Sequence, residues 1–273
     1  MRGFWAFIGV AGCSFSPSNS APSDGRPLDA TVLHDGKSDA PAPGQLCVGT
    51  LAYDKICWDL AAHPPQTGVK TFSGSIGPID TASSQQCDRN AMVGPDNPCV
   101  IAADSIVIDT DLRLLGPGGV VFVATTGAIQ VTAGHNVNAG ALAQAGAGGL
   151  AECTGSVAPV GSGGGFGGSF TVRGGNGGDS DEEDEVGGES APAHDVASIN
   201  GGCPGGFGGG PGADPGFAGG AVILIGTSIQ LDGKILAFGG GGKGSQAAGK
   251  GGGGGGAGGL IVLDAPTITS TGG

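Results

Sequence analysis

The feature that most constrains this chain is a phrase that comes back. A glycine pair opens into an apolar run, and a short alternating strand follows it. The apolar runs read Gly118-Gly119-Val120-Val121-Phe122-Val123, Gly219-Gly220-Ala221-Val222-Ile223-Leu224 and Gly258-Gly259-Leu260-Ile261-Val262-Leu263. The strands after them are Ala128-Ile129-Gln130-Val131, Ser228-Ile229-Gln230-Leu231 and Thr267-Ile268-Thr269-Ser270. Ser105-Ile106-Val107-Ile108-Asp109 is an earlier copy of the second element. The isoleucines Ile106, Ile129, Ile229 and Ile268 lie 23, 100 and 39 residues apart. So short a β unit cannot bury its apolar face alone, and stacked copies can share one core. Alternation sets the faces: Ile106, Ile108, Leu112 and Leu114 on one side, Asp109, Asp111 and Arg113 on the other. The expectation is an all-β chain, a parallel β-helix or solenoid with long glycine-rich insertions. A β-sandwich with disordered glycine-rich loops is the alternative.

Glycine supplies 62 of 273 residues, far above the usual ~7%. There is no strict Gly-X-Y period, so collagen is excluded. Residues 140–259 hold 44 of these glycines, which concentrates the question in one region. Two readings of that region stay open. The tracts are floppy loops spilling from one edge, or they are extended segments bonded laterally, where only glycine permits the close backbone approach.

The N-terminus reads as an export signal over residues 1–12. Arg2 precedes the apolar run Phe4-Trp5-Ala6-Phe7-Ile8-Gly9-Val10-Ala11, which is too short for a membrane-spanning helix of ~20 residues. Val10-Ala11-Gly12-Cys13 looks like a bacterial lipobox, which would make Cys13 the lipidated first residue of the mature chain. Residues 13–45 then form the lipid anchor and a disordered tether rich in Ser, Pro, Asp, Gly and Ala. Residues 46–100 are expected to be a cysteine-containing N-terminal β cap, and 101–273 the glycine-rich repeat, truncated at its C-terminal end.

Beyond Cys13, six cysteines remain: Cys47, Cys57, Cys87, Cys99, Cys153 and Cys203. An even set behind an export signal implies disulfides. Proximity in sequence suggests Cys47–Cys57, Cys87–Cys99 and Cys153–Cys203, among the many pairings that six cysteines allow. No Cys-x-x-Cys pair or spaced histidine points to a zinc site.

Net charge is −13, which opposes nucleic-acid partners. The sharpest charge run carries Asp179, Asp181, Glu182, Glu183, Asp184 and Glu185. It is a weak calcium candidate: Gly174-Gly175-Asn176-Gly177-Gly178-Asp179 matches the start of a calcium-binding nonapeptide, but Asp181 holds its aliphatic position. A solvated acidic loop is the plainer reading. Asp109, Asp111 and Arg113 could do acid–base work on a sugar, but a solvent-facing charge ladder is the plainer reading, since no second carboxylate cluster on another rung supports an enzyme. Gly239-Gly240-Gly241-Gly242-Lys243-Gly244 lacks the Ser or Thr of a phosphate loop. His34, His63, His135 and His194 have no acidic partner at recognisable spacing.

Taken together, the lipobox, the cysteine pairs, Gly202-Cys203-Pro204-Gly205-Gly206 and Leu260-Ile261-Val262-Leu263-Asp264-Ala265-Pro266-Thr267-Ile268 resemble glycine-rich predicted lipoproteins of myxobacteria. The resemblance implies export and a glycine-rich β architecture, and it implies no known reaction. The expectation is a non-catalytic cell-envelope lipoprotein with a surface structural or adhesive role, and no cofactor. Its place is the outer membrane or cell surface (alternatively, it is secreted). Its partners are the membrane, through the N-terminal lipid, and a cell-surface polysaccharide or protein. A carbohydrate-binding or carbohydrate-active protein is the second reading.

Overall fold

Apolar runs behind paired glycines become strands because β-branched side chains suit a pleated, packed surface. The computed structural model describes residues 45–48, 56–59, 61–88, 92–93, 98–180, 185–193 and 199–271. The expected signal peptide and all but the last residue of the expected tether lie outside them. In chain order the strands are β1 (Gln45–Val48), β2 (Ile56–Asp59), β3 (Gln66–Ser73), β4 (Ile79–Asp80) and β5 (Met92–Val93). Next come β6 (Cys99–Asp109), β7 (Leu112–Leu115), β8 (Val120–Ala124), β9 (Ala128–Val131) and β10 (Asn136–Asn138). The last are β11 (Ala221–Ile225), β12 (Ser228–Leu231), β13 (Lys234–Leu236), β14 (Leu260–Asp264) and β15 (Ile268–Thr269). No helix occurs among the described residues.

The returning phrases lie side by side. Parallel ladders pair Ile106 with Ile129, Ile129 with Ile229, and Ile229 with Ile268. A second column pairs Cys99, Val120, Val222 and Ile261 in turn. β6 is the long central strand: its first half takes β8 and its second half takes β9. β3 pairs with β6 as well. A smaller parallel sheet runs β13-β10-β7-β4, and β1, β2 and β5 form an antiparallel one.

The expected parallel β-helix with long glycine-rich insertions is overturned here, and so is the β-sandwich with disordered loops. The main sheet follows the path β14-β11-β8-β6-β9-β12-β15. Its two ends are separated by only residues 265–267, so the parallel strands make a nearly closed, barrel-like sheet. Repeat spacing reports which strands become neighbours, but not how the sheet comes back on itself. The glycine-rich segments are also built into the packing and are not insertions that leave it.

Side chains on the two faces of this sheet enter separate cores. Ile101, Ile106, Ile108, Phe122 and Leu224 belong to one cluster, which Leu112 of the smaller sheet joins. Val100, Val121, Val123, Ile223, Ile225 and Leu260 belong to the other. Hence β8 and β11 are buried at every position, which explains why their sequences are apolar throughout and do not alternate. Phe72 meets Phe122 edge to face, with ring centres 6.1 Å apart.

The glycine segments are ordered by their backbones. Within residues 251–260, the N–H groups of Gly251, Gly254, Ala257 and Leu260 reach Ser162, Gly206, Cys203 and Gly220. Those of Gly253, Gly256 and Gly259 reach Lys243, Gly240 and Ala237. The carbonyls of Gly252 and Gly255 receive Gly165 and Gly168. Donors facing one side therefore recur at every third residue: one series stays on residues 237–243, and the other passes from Ser162 to residues 203–206 and then to Gly220. That is the repeat of a polyproline-II-like screw, which makes no internal hydrogen bonds and so has its donors free for lateral ones. Three segments close a triangle in the same way: Gly164 donates to Gly178, Gly177 to Gly188, and Gly188 to Gly164, at 2.8, 2.8 and 2.9 Å. Glycine is required where these backbones touch. A Cβ on Gly259 would stand 1.7 Å from the Gly220 carbonyl oxygen.

Candidate functional site

Two disulfides tie the described residues. Cys87 bonds Cys99 and Cys153 bonds Cys203, with Cα separations of 4.7 and 5.8 Å. Cys47 stands opposite Cys57 in the antiparallel register of β1 and β2. Cys13 lies outside the described residues. The disulfides fit a secreted or extracellular protein, because such bonds persist outside the reducing cytosol. No helix among the described residues is long and apolar enough to cross a membrane.

Asp181, Glu182, Glu183 and Asp184 of the acidic run lie outside the described residues. Its two flanks, Asp179 and Glu185, have internal duties. Asp179 accepts the backbone N–H of Gly187 at 2.8 Å. Glu185 accepts the hydroxyl of Ser180, and the Lys250 ammonium lies 3.7 Å from its other oxygen. Lys250 also donates to the hydroxyl of Ser162. This node joins three glycine-bearing segments that are remote in sequence. Among the described residues, no group of three or more His, Cys, Asp or Glu is arranged to hold a metal ion. A serine beside a lysine is also a pattern for nucleophilic catalysis. Here Ser162 is only 1% exposed, and its lysine is paired with a carboxylate.

The hydroxyls of Ser162 and Ser180, helped by the Lys250 charge, hold the Glu185 carboxyl down to about 2. A carboxyl lowered by folding stabilises the fold while ionised. Its contribution is complete above the ordinary value of 4.5 and drains away as pH falls toward 2. Glu185→Gln is therefore expected to lower stability at pH 6 and to be nearly neutral at pH 2. Urea unfolding at both values measures this, and an equal loss at both would count against the node.

Asp109 and Asp111 are brought to a residue that sequence spacing did not connect with them. His135 Nε2 lies 3.8 Å from Asp109, and His135 Nδ1 lies 4.0 Å from Asp111. Thr132 donates to Asp109 at 2.7 Å, and the backbone N–H of Asn136 donates to Asp111 at 2.8 Å. Arg113 leaves this group and donates to Asn138 at 3.2 Å. The signal that could have found the cluster is the ladder itself, since pairing Ile108 with Val131 puts residue 135 near residues 109 and 111. Both carboxylates are more than half exposed, so the arrangement is a solvated polar cluster at the end of β6.

A cleft of about 600 Å³ opens between β3, β6 and the loop at residues 83–88. Gln66, Lys70, Ser84, Gln85 and Gln86 contribute polar groups, with Val100 among the apolar ones. Burial lowers the basicity of Lys70, whose ammonium lies over the Phe72 ring, 5.6 Å from its centre.

The architecture, then, is a disulfide-tied parallel barrel-like sheet with a backbone-bonded glycine layer, and no helix among the described residues. Comparison with protein families, curated proteins and solved structures finds no match.

Proposed function

We propose that this chain is a non-catalytic lipoprotein of the cell envelope, held at the outer membrane or cell surface by a lipid on Cys13. Its role is structural or adhesive, with a cell-surface polysaccharide or protein as partner. The resemblance to glycine-rich predicted lipoproteins of myxobacteria favours the same reading. The observation that carries the proposal is the glycine layer. A lattice of main-chain hydrogen bonds between distant segments builds a rigid body without needing reactive side chains. The polar groups nearest a catalytic pattern are committed elsewhere: Ser162 is buried, and Lys250 is paired with Glu185. Disulfides outside the cytosol suit a protein that must persist at a surface.

The anchor is tested by labelling cells with radioactive palmitate. Wild type is expected to take up label and to accumulate as an unprocessed, slower form under globomycin. Cys13→Ala is expected to lose both behaviours. A Cys13→Ala protein that is labelled and processed like wild type would remove the lipoprotein reading.

A further inference from the structure

The cleft between β3 and the 83–88 loop has the makings of a ligand site. We propose that it binds an acidic glycan, with a sugar carboxylate at Lys70 and sugar hydroxyls on the side-chain amides of Gln66, Gln85 and Gln86. The inference is independent of the lipid anchor.

The wall of the cleft is fixed in advance. The loop is fastened to β6 by the Cys87–Cys99 disulfide. Asp88 and Val100 exchange backbone hydrogen bonds of 2.9 and 3.2 Å. The Asp80 carboxylate accepts the N–H of Ala82 at 2.9 Å and the hydroxyl of Ser83 at 3.1 Å. A wall already ordered loses little freedom when a ligand arrives.

The lining chemistry then selects the ligand. Gln66, Gln85 and Gln86 make no side-chain hydrogen bond with another described residue. Each amide offers two donors and an acceptor, which matches hydroxyls that both give and receive. Among the described residues Lys70 is the one cation in the lining, and it makes no ion pair with any of them. The one carboxylate there among the described residues, Asp88, is 2.5 Å from His63 Nδ1 and is already engaged. The remaining electrostatic demand is thus for an anion. Ala102, partly exposed on β6, supplies an apolar contact for the C–H face of a sugar ring. A cleft of about 600 Å³ lies within the range of small-ligand sites. Among the described residues no aromatic side chain lines it, so they offer a nucleobase no stacking platform.

Isothermal titration of the full, disulfide-intact chain with trigalacturonate tests this, with maltotriose as the neutral probe. Trigalacturonate is expected to bind, and maltotriose to bind at least about tenfold more weakly, through loss of the charge-assisted contact. Lys70→Gln is expected to weaken trigalacturonate by about tenfold and to leave maltotriose unchanged. Thermal melting checks that the variant is folded. If it is not, amide shift mapping on wild type decides, with shifts expected within residues 64–102. No heat with trigalacturonate, equal binding by a folded Lys70→Gln, or shifts confined to other residues would each overturn the assignment.

Discussion

Gly254→Ala is expected to destabilise the protein by about 3 kcal/mol, near the top of the usual range for overpacking. The neighbouring Gly255→Ala should change stability far less. A Cβ on Gly254 would stand 1.8 Å from the Phe166 carbonyl oxygen and 2.4 Å from its carbon. Both are backbone atoms in a hydrogen-bonded neighbour, so no flexible side chain can move aside. A Cβ on Gly255 would meet only the Gly240 carbonyl oxygen, at an ordinary 3.5 Å. The two sites are adjacent and neither has a positive φ. Conformational propensity is therefore nearly matched, and close approach is what separates them. In a folded unit of this size the first change should lower Tm by about 6–12 °C. Matching melting temperatures for the two variants would show that the glycine segments are not packed as described.

Removing the Cys153–Cys203 bond should cost about 4 kcal/mol, against about 3 for Cys87–Cys99. The difference follows from loop length, since the bonds span 50 and 12 residues. Closing the longer loop removes more freedom from the unfolded chain. The longer loop also contains Ser162, Ser180 and Glu185 of the node, though not Lys250, and the triangle of Gly164, Gly177 and Gly188. Paired Cys→Ala variants compared by urea unfolding give the order. A larger loss at Cys87–Cys99 would mean that local geometry, not chain entropy, sets the scale.

Much of the strand pairing was legible, because isoleucines at matching points of a phrase mark matching points of a ladder. Ile106, Ile129, Ile229 and Ile268 do meet in register. The pairs Cys87–Cys99 and Cys153–Cys203 were legible from proximity. Closure of the sheet was not, and the β-helix expectation failed on it. The pattern of apolar residues says which face is buried, but it does not record where β14 and β15 finish. The order of the glycine segments was also hidden. A residue without a side chain leaves no periodicity to read, and Gly254 and Gly255 are identical in sequence although only one is confined. His135 was missed for a related reason, since its carboxylate partners arrive from a neighbouring strand and not from nearby positions.

The threefold address system of residues 251–260 bears on how such a chain can change length. A gain or loss of three residues would advance the screw by a whole turn. The donors at Gly253, Gly256 and Gly259 would still point at the 237–243 segment they serve now. A change of one or two residues would turn the downstream donors toward the wrong segment and strand them away from carbonyls. Variation in these tracts should therefore be quantised in threes, a reading frame written into the backbone of the folded layer and not into its side chains.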